Sequence, residues 1–271
     1  MKTYLVALAL TGALSGALSG AAFAGDLAPP PAYKSPPPPA VATTSWTGCS
    51  VNAGWGYGFW NQSQHTVAFP GAVATTSNDT TDGGRGLLGR FGGGCDYQLG
   101  GGLSNWVVGA FGDYDWMDLK GTNNVANVGF GGAFGAPNAA PEKEDNAWSV
   151  GARIGYLVSP TLLSYFDAGY TQTRFGLQNF IATNTGLPSG GFITATTYNG
   201  WFVGGGLEYA LNFSWLPVRG LFWRNEYRFA NYGAKNLPLF GPGGGAFGEH
   251  STPYVQTITS SLVWRFNWGG L

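Results

Sequence analysis

Charged and aromatic residues alternate in the segment LFWRNEYRF at residues 221–229. Arg224, Glu226 and Arg228 lie two positions apart, and aromatic residues occupy most of the positions between and beside them. In a β-strand, residues at this spacing share one face, where guanidinium and carboxylate groups can form charge-assisted hydrogen bonds. Whether the charged face lies inside or outside the folded chain depends on the medium that surrounds the aromatic face.

Little in the sequence resembles a catalytic, cofactor or metal site. Residues 84–89, GRGLLG, match G-x-G-x-x-G, but a strand pattern follows them and no βαβ unit surrounds them. Glu249, His250 and Ser251 are consecutive, so in a strand their side chains would alternate between faces and make a poor triad. His65 and His250 are both expected in long loops without a third ligand. We therefore predict no enzyme activity, no cofactor and no metal.

The composition is unusual for a soluble enzyme. Charged residues make up 10% of the 271 residues, glycine accounts for 46 of them, and aromatic residues for 15%. Beyond the first 24 residues, no apolar run approaches the ~20 residues that a transmembrane helix needs. The net charge of −1 argues against nucleic acid as a partner, because phosphate neutralisation requires a basic surface.

The first 24 residues predict a signal peptide for export. Lys2 precedes an apolar core at residues 4–18, and Ala22-Phe23-Ala24 forms a small-residue cleavage site before Gly25. A membrane anchor is the alternative, but the core is short and no basic flank follows it. Residues 25–45 contain seven prolines and predict an extended periplasmic tether, which acts as a spacer or docks to another envelope component. The folded domain is expected at residues 46–271.

From Trp46 onward, apolar residues alternate with small or polar ones at a period of two, which predicts β-strands. The first strand includes residues 49–59. Seven more segments show the pattern, at residues 85–99, 104–118, 146–158, 162–175, 198–212, 219–232 and 254–267. The connections alternate in length: short links at 100–103, 159–161 and 213–218, and about 20 to 27 residues elsewhere. This layout predicts an all-β, eight-stranded antiparallel transmembrane barrel with short periplasmic turns and long extracellular loops.

In such a barrel the apolar faces meet lipid, so the charged faces line the lumen. Asn225 is a polar exception on the lipid face of its strand. The predicted lumen set contains six acids and five bases, and this near-balance suits a narrow interior in which charges must be paired. Its members are Arg90, Asp96, Asp113, Asp115, Arg153, Asp167, Glu208, Arg224, Glu226, Arg228 and Arg265.

Aromatic residues at the strand ends predict two interfacial girdles, as membrane barrels require. The periplasmic girdle would contain Trp46, Tyr97, Trp106, Tyr156, Tyr209 and Phe266. The external girdle would contain Tyr57, Trp116, Trp148, Tyr170, Trp201 and Tyr227.

Cys49 and Cys95 both lie near the periplasmic ends of neighbouring strands and on their lipid-facing sides. If they are opposite one another, Trp55 faces Gly89, which is a sensible pairing of a large with a small residue. An oxidising compartment then permits a disulfide. Two free thiols in lipid are the alternative.

The predicted loops, at about residues 60–84, 119–145, 176–196 and 231–253, are rich in glycine, threonine, asparagine and alanine. Such segments suit surface exposure, either passive or in recognition by phage, host or antibody. The expected partners are outer-membrane lipid, lipopolysaccharide and the barrel-assembly machinery, with peptidoglycan or a host surface as further candidates.

Short motifs throughout the chain resemble those of a known family. They are GDLAP at 25–29, WTG at 46–48, NAGWGYG at 52–58, GLEYAL at 206–211, NEYRFANYG at 225–233 and LVWRF at 262–266. The chain is similar to the small porin-like outer-membrane β-barrels of alphaproteobacteria, also called outer-membrane immunogenic proteins, whose architecture is that of the OmpA-type barrel. The resemblance implies location in the outer membrane and makes Glu208 and Glu226 inward-facing acids of the sixth and seventh strands.

These features favour a structural protein that supports envelope integrity and presents surface loops. A narrow porin-like channel for small solutes is the rival, because glycines on the inward faces remove side chains that would plug the lumen. Eight strands leave an interior that side chains just fill, which disfavours an aqueous pore. A lipid-modifying enzyme is a third hypothesis, with Glu249, His250 and Ser251 as its only adjacent candidates.

Overall fold

The computed structural model describes residues 45–68, 75–125, 138–211, 218–241 and 247–266. They form eleven strands and a short 3-10 turn at Gly101–Leu103. The strands are β1 (Gly48–Ala68), β2 (Thr80–Gln98), β3 (Trp106–Val125), β4 (Asn138–Ser159), β5 (Leu162–Phe175), β6 (Gln178–Ala182), β7 (Pro188–Ile193), β8 (Thr196–Ala210), β9 (Leu221–Tyr232), β10 (Lys235–Leu239) and β11 (Phe247–Phe266).

Eight of these strands form a closed antiparallel ring. Its order is β1-β2-β3-β4-β5-β8-β9-β11, and β11 pairs back onto β1. Pairing of β3 with β4 closes the other side. The short strands β6, β7 and β10 lie outside the ring and pair with β4, β6 and β11 respectively. The predicted eight-stranded barrel is therefore confirmed.

Several strands extend much further at their extracellular ends than the sequence predicted. β1 continues to Ala68, β3 to Val125, and β4 begins at Asn138, so much of the ranges 60–84 and 119–145 is strand and not loop. β6, β7 and β10 occupy parts of the other two predicted loops. The barrel thus rises as a tall cylinder beyond the outer aromatic girdle.

The outer face carries the aromatic residues expected at a membrane. All six residues of the predicted external girdle and five of the periplasmic one are exposed. The membrane-spanning segments are the strand portions between these girdles. On β4 they extend from Trp148 to Tyr156, close to the 9–11 residues that a tilted strand needs. Asn225 also faces outward, where its Oδ1 accepts a hydrogen bond from Ser260 on β11.

Trp46 corrects the girdle prediction, because it is completely buried. It precedes β1 by two residues, so the strand alternation does not determine where it points. Its indole ring lies inside the periplasmic end of the barrel. The described part of the chain contains no helix long and apolar enough to cross a membrane.

Some predicted features lie outside the described residues. They are the signal peptide with its Ala24–Gly25 cleavage site and nearly all of the tether at 25–45.

Candidate functional site: the charged lumen

All eleven charged residues predicted to line the lumen lie on the inner face of the ring and are buried. The strand alternation positions them there, because every second residue of each strand points inward. They separate into two clusters, one near the periplasm and one near the middle of the barrel. The two clusters contain different numbers of acids and bases.

The lower cluster surrounds Glu208 on β8. Glu208 pairs with Arg265 at 2.7 Å, Arg224 at 2.8 Å and Arg153 at 3.2 Å. Asp96 on β2 pairs with Arg265 at 2.6 Å and also accepts from Arg153. Each carboxylate thus bridges arginines from different strands, and the cluster carries three bases for two acids.

The upper cluster is built around Arg90 and Arg228. Arg90 contacts Asp115 through two nitrogens, at 2.7 and 2.8 Å, and also pairs with Glu226. Arg228 pairs with Glu226 at 2.7 Å, Asp113 at 2.8 Å and Asp167 at 3.1 Å. Two phenylalanine rings also lie 4.8 Å from the guanidinium of Arg228. This cluster has two bases for four acids.

Tyr165 connects the two clusters. Its ring lies 5.2 Å from the guanidinium of Arg153 in the lower cluster. Its hydroxyl donates a 2.7 Å hydrogen bond to Oε2 of Glu226 in the upper cluster. Tyr165 was not among the predicted lumen residues, although it lies two positions before Asp167 and the same strand alternation places it on the inward face.

An apolar floor closes the periplasmic end. The ring of Trp46 packs 4.9 Å from Phe222, and its Nε1 donates to the backbone oxygen of Pro160 at 3.2 Å. The backbone oxygen of Trp46 accepts a hydrogen bond from Arg265 at 2.9 Å. Val107, Leu163 and Val263 belong to the same buried group.

A polar cluster lies in the lumen above the outer girdle, beside a group of buried apolar side chains that includes Trp60, Phe175 and Tyr198. Asn123 donates to Glu249 at 2.8 Å, and Gln62 donates to the same carboxylate at 3.2 Å. Gln178 donates to Glu142 at 2.7 Å. We call this set the upper amide cluster: Gln62, Gln64, Asn123, Glu142, Gln178 and Glu249. Its two acids pair with side-chain amides, whereas the acids of the two ion-pair clusters pair with arginines.

The environment of the upper amide cluster favours protonated acids. Burial raises the pKa of Glu142 well above its usual value, and the nearby charges of Glu249 and Asp82 raise it further. Burial also raises the pKa of Glu249 to about 7, although hydrogen bonds from Asn123 and Gln62 oppose the shift. Neither acid was predicted as a lumen residue. Glu142 lies in the run PEKED, whose charges occupy both faces, and Glu249 lies in a range predicted as a loop.

The inward glycines do not leave open space. A Cβ on Gly92 would lie 2.0 Å from Oδ1 of Asp113, and one on Gly206 would lie 2.7 Å from the hydroxyl oxygen of Tyr165. Neighbouring charged and aromatic side chains therefore occupy the volume that the glycines vacate. A cavity beside Arg90 and Arg228 measures about 20 Å³, which is room for roughly one water molecule.

Cys49 and Cys95 form a disulfide on the outer face, near the periplasmic ends of β1 and β2. They are directly opposite each other, and Trp55 faces Gly89 in the register that the sequence predicted. The alternative of two free thiols does not apply to this structure.

The two histidines correct another prediction. Both lie on strands and not in loops, because β1 and β11 extend beyond the predicted ends. His65 is directly opposite His250 on the outer face of the barrel. Within the described ranges, no group of three or more His, Cys, Asp or Glu side chains is arranged to hold a metal.

Comparisons with known proteins agree with this architecture. Residues 13–266 match the family model described as outer membrane protein beta-barrel domain. The chain belongs to this family. As a member of the outer membrane protein beta-barrel domain family, it is a protein of the cell outer membrane. The resemblance and location inferred from its sequence motifs are confirmed.

Two relatives are similar in sequence to this chain over most of its length. The 31 kDa outer-membrane immunogenic protein of Brucella melitensis biotype 1 is 29% identical over 202 residues, covering 73% of this chain and 75% of the relative. The protein of the same name from Brucella suis biovar 1 gives the same figures. The crystal structure of OprG from Pseudomonas aeruginosa has a TM-score of 0.52 and 11% identity, covering 81% of this chain and 98% of that one. At that identity, the likeness to OprG shows the fold alone.

Proposed function

We propose that this member of the outer membrane protein beta-barrel domain family is a structural, non-catalytic barrel with a sealed lumen. It supports envelope integrity and holds its extracellular end as a rigid surface outside the cell. The burial of the lumen charges carries the proposal. The five lumen arginines are only 4–7% exposed, whereas arginines lining a water-filled pore would remain hydrated.

The seal has several layers. The apolar floor around Trp46, the two ion-pair clusters and the upper amide cluster follow one another along the barrel axis. A solute would have to separate buried ion pairs in two of these layers, and separating such pairs is costly because each partner would be left uncompensated. This stacking favours a closed barrel and argues against a narrow porin-like channel.

The extracellular cylinder supports a role in surface presentation. β1, β3, β4 and β11 continue past the outer girdle and keep their ladder hydrogen bonds there. The relatives from Brucella are named immunogenic, and we propose by extension that this cylinder is the surface a host or antibody meets. Lipopolysaccharide surrounding the outer girdle and peptidoglycan near the predicted tether remain proposed partners.

Planar-bilayer conductance tests the seal. The wild-type chain should give no steady current, whereas Arg90→Ala combined with Arg153→Ala should admit ions, because this variant removes an arginine from each of the two ion-pair layers. Arg85→Ala is the matched control, since Arg85 is an exposed arginine on the same strand as Arg90. Migration of unboiled protein on a gel checks that each variant is folded. A steady, ion-selective wild-type current that is lost when lumen charges are removed would instead establish a channel.

A further inference from the structure

Basic side chains project outward from four neighbouring strands above the outer aromatic girdle. Arg85 on β2 is directly opposite Lys120 on β3, and Lys120 is directly opposite Lys143 on β4. Arg174 follows on β5. Three of them are exposed, and the side chain of Lys143 is 43% exposed. We call these four residues the basic arc: Arg85, Lys120, Lys143 and Arg174.

The basic arc lies at the level of the polar part of the outer leaflet. Lys120 lies four residues beyond Trp116 on β3, and Arg174 lies four residues beyond Tyr170 on β5. A strand rises about 3.3 Å per residue and barrel strands tilt by about 35–45°, so both positions stand about 10 Å above the girdle. Girdle rings mark the headgroup level, and long basic side chains can bend back towards it.

The other four strands of the ring are uncharged at the corresponding outward positions. Tyr254 on β11 is directly opposite both Asn61 on β1 and Asn231 on β9. Each of the two asparagines lies four residues beyond a girdle tyrosine, and Thr197 lies four residues from the girdle residue of β8. Lys235 is an exposed cation on this side, and its ammonium donates to the backbone oxygen of Thr197. The outward row of cations is therefore confined to one side of the barrel.

Two acids neutralise the basic arc only in part. Nζ of Lys120 lies 2.9 Å from Oδ2 of Asp118, and Nζ of Lys143 lies 3.3 Å from Oδ1 of the same carboxylate. Lys143 also lies 3.3 Å from Asp145. The two arginines of the arc form no ion pair within the described ranges. Cations directly opposite on neighbouring strands repel each other, so a bound anion would relieve a repulsion that the fold maintains.

Apolar side chains lie below the basic arc on the same outer face. Leu87, two residues from Arg85 on β2, is 69% exposed. Trp116, Trp148 and Tyr170 are also exposed there. A ligand that matches both levels has acyl chains below and anionic groups above. Phosphate suits the upper level, because guanidinium and ammonium groups form charge-assisted hydrogen bonds to its oxygens.

We propose that the basic arc binds the phosphate groups of lipopolysaccharide, whose acyl chains lie against the aromatic girdle beneath. The site rests on the lipopolysaccharide contact proposed above and assigns it to the side of the barrel formed by β2 to β5. It does not depend on a sealed lumen, so lipid binding and conductance test separate statements.

Native mass spectrometry of the full-length chain, folded in detergent and titrated with a short-chain lipopolysaccharide, tests this site. Arg85→Gln combined with Lys120→Gln should weaken lipid binding by about tenfold. Arg219→Gln combined with Lys235→Gln removes two exposed charges outside the arc and should bind as the wild type does. Asp118→Asn should strengthen binding by about threefold, because it releases two ammonium groups and removes a charge that repels phosphate. Unboiled gel migration checks that each variant is folded.

Two further probes identify the ligand. Lipopolysaccharide stripped of its phosphates should bind the wild-type chain about tenfold more weakly, because the arc then has no anion to contact. Inorganic phosphate at the same concentration as the lipid should not displace it, since free phosphate lacks the acyl chains. The proposal is overturned if the arc variant and the control variant bind equally, if the dephosphorylated lipid binds as tightly as the intact one, or if equimolar inorganic phosphate displaces the lipid.

Discussion

The carboxylate of Asp113 occupies the space that a side chain at Gly92 would need. A Cβ on Gly92 would lie 2.0 Å from Oδ1 of Asp113, on the neighbouring strand β3. The same carboxylate pairs with Arg228 at 2.8 Å. The glycine therefore allows an ion pair of the upper cluster to form close to the barrel wall.

Gly92→Ala should consequently destabilise the barrel, because the added methyl group displaces Asp113 from Arg228. We expect a loss of about 1–3 kcal/mol in the free energy of unfolding, the usual cost of overpacking. Urea unfolding followed by tryptophan fluorescence measures it. Gly89→Ala is the matched control on the same strand, since a Cβ there meets nothing within 4 Å. Equal stability of the two variants would contradict this account of the inward glycines.

Glu208→Ala should be among the most damaging substitutions in the lower cluster. It leaves Arg153, Arg224 and Arg265 buried with one remaining acid, Asp96. Breaking a buried ion pair from one side costs about 3–5 kcal/mol, because the surviving charge is uncompensated. Urea unfolding in detergent provides the measurement, and Asp118→Asn on the exposed surface should behave as the wild type does. A Glu208→Ala chain as stable as the wild type would show that the cluster is hydrated.

The upper amide cluster should loosen as pH rises. The pKa of Glu249 is raised to about 7, so its contribution to stability is fully present below its ordinary pKa of about 4.3 and is lost as pH rises through 7. Glu142 and Asp82 are the nearby acids, and their charges increase the effect. Hydrogen exchange of the amides at residues 62–66, corrected for intrinsic rates, should be slower at pH 5.5 than at pH 8.

Glu249→Gln should remove most of that difference, because glutamine is neutral at both pH values and keeps the hydrogen-bonding shape. Asp118→Asn should leave it unchanged. Exchange in the wild-type chain that is independent of pH would refute the prediction.

Reduction of the disulfide should lower stability without opening the lumen. Cys49 and Cys95 are separated by 46 residues, and a loop of that size corresponds to about 4 kcal/mol of chain entropy in the unfolded state. The bond lies on the outer face, so the inward ion pairs do not depend on it. Cys49→Ser with Cys95→Ser should unfold at lower urea but retain the closed state in planar bilayers. Two free thiols in folded, unreduced protein would contradict the structure at this point.

The sequence predicts the membrane-spanning part of the barrel well, for a physical reason. There, one face of each strand meets hydrocarbon and the other meets the lumen, so residues such as Arg90 and Phe91 alternate strongly in polarity. The two cysteines add an independent constraint on the register of β1 and β2. From these signals the ring and the inward charges could be assigned without a structure.

The extracellular cylinder could not be predicted in the same way. Beyond the outer girdle the outward face meets water, while the inward face carries residues such as Gln62 and Gln64. Polar residues therefore occur on both faces, which weakens the alternation that marks a strand, although apolar side chains such as Trp60 are also buried inside. The buried position of Trp46 could not be predicted for a related reason. Trp46 precedes β1, and there the pleat of the strand does not set the direction of the side chain. The pairing of arginines with particular acids depends on rotamers, which sequence parity does not specify.

The unequal composition of the two ion-pair clusters makes the net charge of the lumen change sign along the barrel axis. At formal charges, three arginines against two acids leave the periplasmic layer at +1, and two arginines against four acids leave the layer above it at −2. An ion of either sign meets one layer that repels it. If an opening left these charged side chains in place, current through the two oppositely charged layers would rectify.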